Sequence, residues 1–454
     1  MNSFQYIFLL TICIAVISTG TASAQTGFGE FEEGVFSAPQ VCGSCHTQNF
    51  EEWYGSMHAA SNSDPFYQLM FSMASNDTLG AVDTYCPRCH SPASFVTGID
   101  SKVPATIDIA NASEMGVYCD FCHTIKSKSG MGNGLYISTP GTTKFGPWDD
   151  AESPYHGARY SELHTQSDFC SICHYQTHSE NGVVIQNTFQ EWLDSPYSEE
   201  GTQCQDCHMT PGPGFTRNPG QSTLIGPVRE HIWTHNTAGG NIFQTSLQSP
   251  KHRALAVEML KGAAELEMKT KQVTDESIVL AVTVSNTGAG HSIPTGSNSL
   301  RQVWLEVTAT NEDGEVIDSS GRLDSAGNID PGTIIYGSVY HDASGNVALK
   351  EWKAASLVSD NRILAGTSVT EDFEIRLPQG NAGPVKVIVR LLYRTVPQDF
   401  IDETFGGAAE NVPLVEMAKE ELTVNGATTG IPGFGIVISV IVMGIVFFLF
   451  GRRN

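Results

Sequence analysis

Apolar side chains recur at every second position in the later part of the chain: Ile278, Leu280, Val282 and Val284; Val303, Leu305 and Val307; and Val385, Val387, Val389, Leu391 and Tyr393. A period of two marks strands with one buried face. Turn clusters at Glu312-Asp313-Gly314 and Ala343-Ser344-Gly345-Asn346 separate the runs. Residues 269–425 are therefore expected to form an all-β, immunoglobulin-like sandwich of about seven or eight antiparallel strands. Just ahead of it, Leu255, Met259, Leu260, Ala263, Ala264 and Leu266 fall at helical spacing and predict a connecting helix over 250–268.

Residues 25–249 carry neither period. They are rich in Gly, Ser, Pro, Asp and Thr, and so poor in aliphatic residues that side chains alone would build only a thin core. The two ends differ again. Phe4 to Ala24 has the apolar run and small-residue close of a secretory signal, although no Lys or Arg precedes the run. Ile431 to Phe450 is apolar enough to span a bilayer and is followed by Arg452-Arg453, which predicts a transmembrane helix with a cytoplasmic tail.

Cysteine usage supplies what the middle region lacks. Ten of the eleven cysteines fall in five copies of C-x-x-C-H: Cys42/Cys45/His46, Cys86/Cys89/His90, Cys119/Cys122/His123, Cys170/Cys173/His174 and Cys204/Cys207/His208. In this motif two thiols add to the vinyl groups of one haem, and the adjacent imidazole becomes the proximal iron ligand. Zinc ribbons and disulfides are the competing readings. Ribbons pair their cysteines at fixed spacing, whereas these motifs start 44, 33, 51 and 34 residues apart and each carries the same trailing histidine. Five covalent c-type haems are expected, with the porphyrins serving as the core of residues 25–249. Attachment of such haems belongs to the extracytoplasmic side of the membrane, in agreement with the leader.

Nine histidines remain after the five proximal ones: His58, His156, His164, His178, His231, His235, His252, His291 and His341. A second imidazole on each iron confines it to electron transfer, whereas an open position lets it bind a small molecule. A faint internal echo also runs through this region. Phe50-Glu51-Glu52-Trp53-Tyr54-Gly55-Ser56-Met57-His58 matches Phe189-Gln190-Glu191-Trp192-Leu193-Asp194-Ser195-Pro196-Tyr197 at four of nine positions, with Tyr197 standing where the first copy has His58.

Cys42-Gly43-Ser44-Cys45-His46 with Glu52-Trp53, Ser56 and His58-Ala59 resembles the multihaem cytochromes related to the tetrahaem carrier of nitrifying bacteria. So do Phe145-Gly146-Pro147 with Ser153-Pro154-Tyr155-His156, and Glu191-Trp192 with Ser195-Pro196-Tyr197 ahead of Cys204 to Met209. The layout of His235-Asn236, Gly239-Gly240, Asn286, Gly290-His291 and Pro294-Thr295-Gly296 is similar to archaeal extracellular cytochromes, some of which form filaments. Ile431-Pro432-Gly433-Phe434 resembles archaeal sorting tails, in which the helix is exchanged for a lipid. The resemblance implies His58, His156, His164, His235 and His291 as distal ligands, holds His178 and His231 in reserve, and leaves His252 and His341 on the surface.

Together these readings give a multidomain chain: a leader (1–24), a haem-packed, mostly irregular and α-helical multihaem cytochrome domain (25–249), the connecting helix, the sandwich and the C-terminal helix (431–450). An electron carrier at the cell surface is expected, with other redox proteins or extracellular acceptors as partners, a membrane or lipid anchor, and a head-to-tail homopolymer as one form of assembly. The alternative is an oxidoreductase with one open haem acting on nitrite or hydroxylamine. The net charge of −24 disfavours nucleic acid and favours basic partners.

Overall fold

The computed structural model describes residues 25–101, 116–212, 215, 217–380, 383–406 and 411–425. The leader and the segment 431–450 lie outside these residues. Among the described residues no helix is long and apolar enough to cross a membrane.

The alternating runs become strands as the pattern requires. β1 (Glu265–Val273) and β2 (Ser277–Ser285) are followed by β3 (Gln302–Thr310), β4 (Val316–Ser320), β5 (Ile335–Tyr336), β6 (Ser338–His341) and β7 (Ser356–Asp360). The series closes with β8 (Ser368–Arg376), β9 (Val385–Arg394) and β10 (Leu414–Val424). One antiparallel sheet runs β8-β2-β1; a second runs β4-β3-β9-β10, with β5 also on β3; β6 and β7 form a separate hairpin. Register places Val389 opposite Val307 and Leu280 opposite Phe373. Side chains at alternate positions of both sheets, including Leu280, Val282, Leu305, Val389 and Leu391, share one apolar core.

The connecting helix is shorter than its apolar spacing suggests. It runs Pro250–Lys261, opened by Ser249, whose hydroxyl accepts from the His252 backbone N–H, and by Pro250 in the first turn. The chain breaks at Gly262, and Ala264 and Leu266 turn inward as the start of the sheet instead of extending the helix. The close approach at this break is specific: a Cβ on Gly288 would stand 1.8 Å from the Gly262 carbonyl oxygen.

Residues 25–249 fold into short helical turns and two-stranded pairs; the longest helix, Pro65–Asp77, spans 13 residues. Aromatic side chains from scattered segments, among them Phe36, Trp53, Phe95, Tyr118, Phe121 and Tyr136, form its main apolar cluster. The two regions touch directly. Tyr340 on β6 packs with Ile185 and donates to the Val184 carbonyl at 3.1 Å.

Candidate haem-binding site

Each C-x-x-C-H motif folds as a single helical turn. The histidine N–H donates to the carbonyl of the first cysteine in the motifs at Cys42 (2.9 Å), Cys86 (3.2 Å), Cys119 (2.9 Å) and Cys170 (2.9 Å), and Cys204–His208 is itself a helix. Positions i, i+3 and i+4 of such a turn face one way, so two thiols and an imidazole are presented together. All five turns line one cavity of about 1660 Å³. The ten thiols are free, and burial pushes Cys86 and Cys122 up to about 12, which keeps them as neutral thiols and not as reactive thiolates.

Across this cavity imidazoles meet in pairs. Ring centroids are 6.4 Å apart for His46 and His156, 6.1 Å for His58 and His174, 6.3 Å for His123 and His235, and 6.2 Å for His208 and His291. Two metal–imidazole bonds of about 2 Å, with each ring centre roughly 1.1 Å beyond its nitrogen, give a spacing of about 6.2 Å. The observed separations therefore fit one iron between each pair.

The hydrogen bonds set the required tautomer. Nδ1 lies at a backbone carbonyl in His46 (Ser222, 2.9 Å), His90 (Ser61, 3.1 Å), His123 (Phe145, 2.6 Å) and His208 (Ala238, 2.6 Å). The same holds for His156 (Gly157, 3.0 Å) and His291 (Ser292, 3.1 Å). A carbonyl only accepts, so the proton sits on Nδ1 and the Nε2 lone pair is left for metal. Burial, reinforced by neighbouring histidines, lowers His58 and His174 to about 4 and His235 to about 3, so these rings are neutral at pH 7.

Comparison with known proteins agrees with this chemistry. Residues 41–124 match the family model of cytochrome c554 and c-prime. A penta-haem cytochrome c552 from Thermochromatium tepidum superposes with a TM-score of 0.63 at 21% identity, covering 87% of this chain and 100% of that one. In that segment and in its fold the chain is similar to multihaem c-type cytochromes. A putative β-galactosidase from Bacteroides fragilis matches over 36% of this chain and 16% of that one, with 13% identity and a TM-score of only 0.17, and carries no weight. Comparison with curated proteins returns no match.

The remaining histidines are engaged differently. His164 stacks 5.7 Å from His123, but its Nε2 lies 3.1 Å from the Cys122 carbonyl and its Nδ1 2.9 Å from the Ser161 hydroxyl. With Nε2 carrying the proton, its lone pair is not offered to a metal, and His235 occupies the position opposite His123. His178 likewise turns Nε2 to the Trp352 carbonyl at 2.9 Å. The Nδ1 of His231 accepts from the Asn218 N–H, which places its proton on a buried Nε2 that has no partner among the described residues. His341 lies half-buried on β6.

His252 departs most from expectation. It is 2% exposed instead of on the surface, its Nε2 bonds the Glu52 carbonyl at 2.9 Å, and its Nδ1 meets the Ser249 hydroxyl at 2.8 Å. The helix Pro250–Lys261 thus braces the segment after the first motif. No local pattern distinguishes such a brace from a surface histidine, because its partner lies 200 residues away.

His90 stands apart from the other proximal histidines. Among the described residues no second imidazole faces it; instead the Tyr67 ring stacks on it at 4.0 Å, with a buried hydroxyl that lacks a hydrogen-bond partner there.

Proposed function

We propose that the chain holds five c-type haems and conducts electrons through them outside the cytoplasm. The four imidazole pairs at 6.1–6.4 Å carry this reading. Bound c-type haem supplies an iron that alternates between ferric and ferrous states. The protein's own part would be to hold that iron between paired imidazoles, with the rings of His46, His123, His156, His208 and His291 oriented through Nδ1 bonds to backbone carbonyls, and to line the surroundings with apolar side chains.

Thiol proximity gives the order of the sites. Cys42 meets Cys119, Cys122 lies near Cys170 and Cys173, Cys170 meets Cys204, and Cys173 meets Cys89. The first motif therefore adjoins the third and the third adjoins the fourth. The fourth touches both the fifth and the second, so the path forks at the motif of His174.

The acidic chain, with its net charge of −24, suits a basic redox partner. Cell-surface placement rests on the leader and the C-terminal apolar segment of the sequence. The two sheets with one shared core support the immunoglobulin-like sandwich. Assembly through a histidine lent to the next copy loses its best donors, because His235 and His291 face His123 and His208 of their own chain. We favour a self-contained conductor.

The alternative, an oxidoreductase with one open iron, is favoured at one motif by the absence of a facing imidazole at His90 among the described residues. Haem content by pyridine haemochrome, together with the mass of the exported chain, tests the main reading. Five porphyrins per chain with at least four low-spin irons are expected; fewer than five, or a majority of high-spin irons, overturns it. One equivalent of carbon monoxide bound per reduced chain establishes the open site, and none removes it.

A further inference from the structure

The internal echo in the sequence has a structural counterpart that neither haem attachment nor imidazole pairing explains. In the first copy the Trp53 indole N–H donates to the Val117 carbonyl at 2.9 Å, and the Val117 N–H returns to the His58 carbonyl at 2.9 Å. In the second, Trp192 donates to the Thr202 carbonyl at 2.9 Å, and the Thr202 N–H returns to the Tyr197 carbonyl at 2.9 Å. Val117 and Thr202 each stand two residues before a haem motif, at Cys119 and Cys204. His58 and Tyr197 occupy the same place in the two copies.

The carboxylates complete the correspondence. Glu52 Oε2 accepts the backbone N–H of His235 at 2.9 Å, and its Oε1 accepts from the Gln48 amide at 2.8 Å. Glu191 Oε2 accepts the N–H of Ser292, directly after His291, at 3.2 Å and the Thr295 hydroxyl at 2.7 Å, while Oε1 pairs with Arg362. The Glu191 and Arg362 side chains are only 5% and 6% exposed. The Trp arm of the first copy grips the chain that feeds His123, and its Glu arm grips the partner His235. The second copy does the same for His208 and His291.

We infer that the repeated Phe-x-Glu-Trp-x-x-Ser segment is a two-armed clamp that fixes the gap between the two axial imidazoles of one haem, with Glu52 and Glu191 as positioning residues at the third and fifth sites. This rests on the pairing proposed above. A buried carboxylate with its lone pairs filled by backbone N–H and hydroxyl donors holds a ligand-bearing turn in one place. Four hydrogen bonds of one pattern at two sites mark a device that was copied with its function. Tyr197, with its hydroxyl on the Thr287 carbonyl at 2.6 Å, braces the turn carrying His291 where the first copy contributes an imidazole to another pair.

The test uses the full-length, haem-loaded chain, reduced, and counts carbon monoxide bound per chain. His291→Ala should add one equivalent over the unaltered protein. Glu191→Leu should add the same single equivalent with a low-spin to high-spin change at one iron, and the double variant should add no more. The isosteric Glu191→Gln, which keeps the shape of the side chain and removes its charge, should bind carbon monoxide at that site at least about tenfold faster, in line with the usual effect of losing an outer partner of a ligand. Glu52→Gln should do so independently at the His123 site. If His291→Ala adds an equivalent while Glu191→Gln and Glu52→Gln leave uptake unchanged, the clamp is wrong and the pairing stands. If His291→Ala adds none, the pairing itself fails.

Discussion

Glu351 turns a carboxyl into the apolar cavity near Cys86, and burial pushes it up to about 7 despite bonds to Ser297 and Gln186 and the charge of Arg301. The folded chain therefore holds a proton that the unfolded chain releases near the ordinary value of 4.5. This contribution is fully present below pH 4.5 and is lost as pH rises through 7, on the order of 3 kcal/mol by pH 8. Glu351→Gln, which keeps the shape without the charge, should flatten that dependence. Chemical denaturation at pH 5 and pH 8 should show a smaller difference for the variant than for the parent. At this scale the sequence is legible for the five helical turns, because the C-x-x-C-H spacing alone puts two thiols and an imidazole on one turn. It is illegible for the spare histidines. His164 turns its Nε2 to the Cys122 carbonyl, whereas His235 faces His123, and that difference is decided by segments brought from elsewhere in the fold.

At the scale of elements, strands are read more surely than the helix end. Leu280 and Val282 alternate with half-buried neighbours along β2, as their spacing requires. Ala263, Ala264 and Leu266 satisfy a helical face and a strand face at once, and only the break at Gly262 separates the two. Leu280→Ala, at a fully buried position, should cost about 2–5 kcal/mol, measured as a lowered denaturation midpoint of the sandwich with unchanged haem content. Gly288→Ala should lower the melting temperature of the intact chain and loosen the turn that bears His291, because the added methyl meets the Gly262 carbonyl. Its carbon monoxide uptake should rise toward that of His291→Ala. His252→Ala leaves the Glu52 carbonyl without its buried donor and should cost about 1–3 kcal/mol, read as a lowered midpoint of the haem-loaded protein.

At the scale of the whole molecule, the two regions owe their cores to different materials. The sandwich buries Val, Leu and Ile in one continuous cluster, whereas the first region encloses a cavity ringed by thiols and imidazoles. Chain produced without haem attachment should therefore yield, on limited proteolysis, a resistant fragment beginning near residue 263 and a rapidly degraded remainder, separable by mass. The division itself was legible as a change of texture near residue 250. The joint was not: Glu191, Arg362 and Ser292 meet across more than one hundred residues of chain, and nothing local announces it.

The turn that carries His291 comes late in synthesis and belongs to the second region. On the proposed pairing, porphyrin could be fastened to all five motifs while that region is still emerging, yet one iron would lack its outer imidazole until the sheets close and Arg362 reaches Glu191. Maturation would then have a built-in completion signal. A chain truncated before the sandwich would be fully coloured but would keep a gas-sensitive centre, and the quality of the last-made domain is reported in the spectrum of the first.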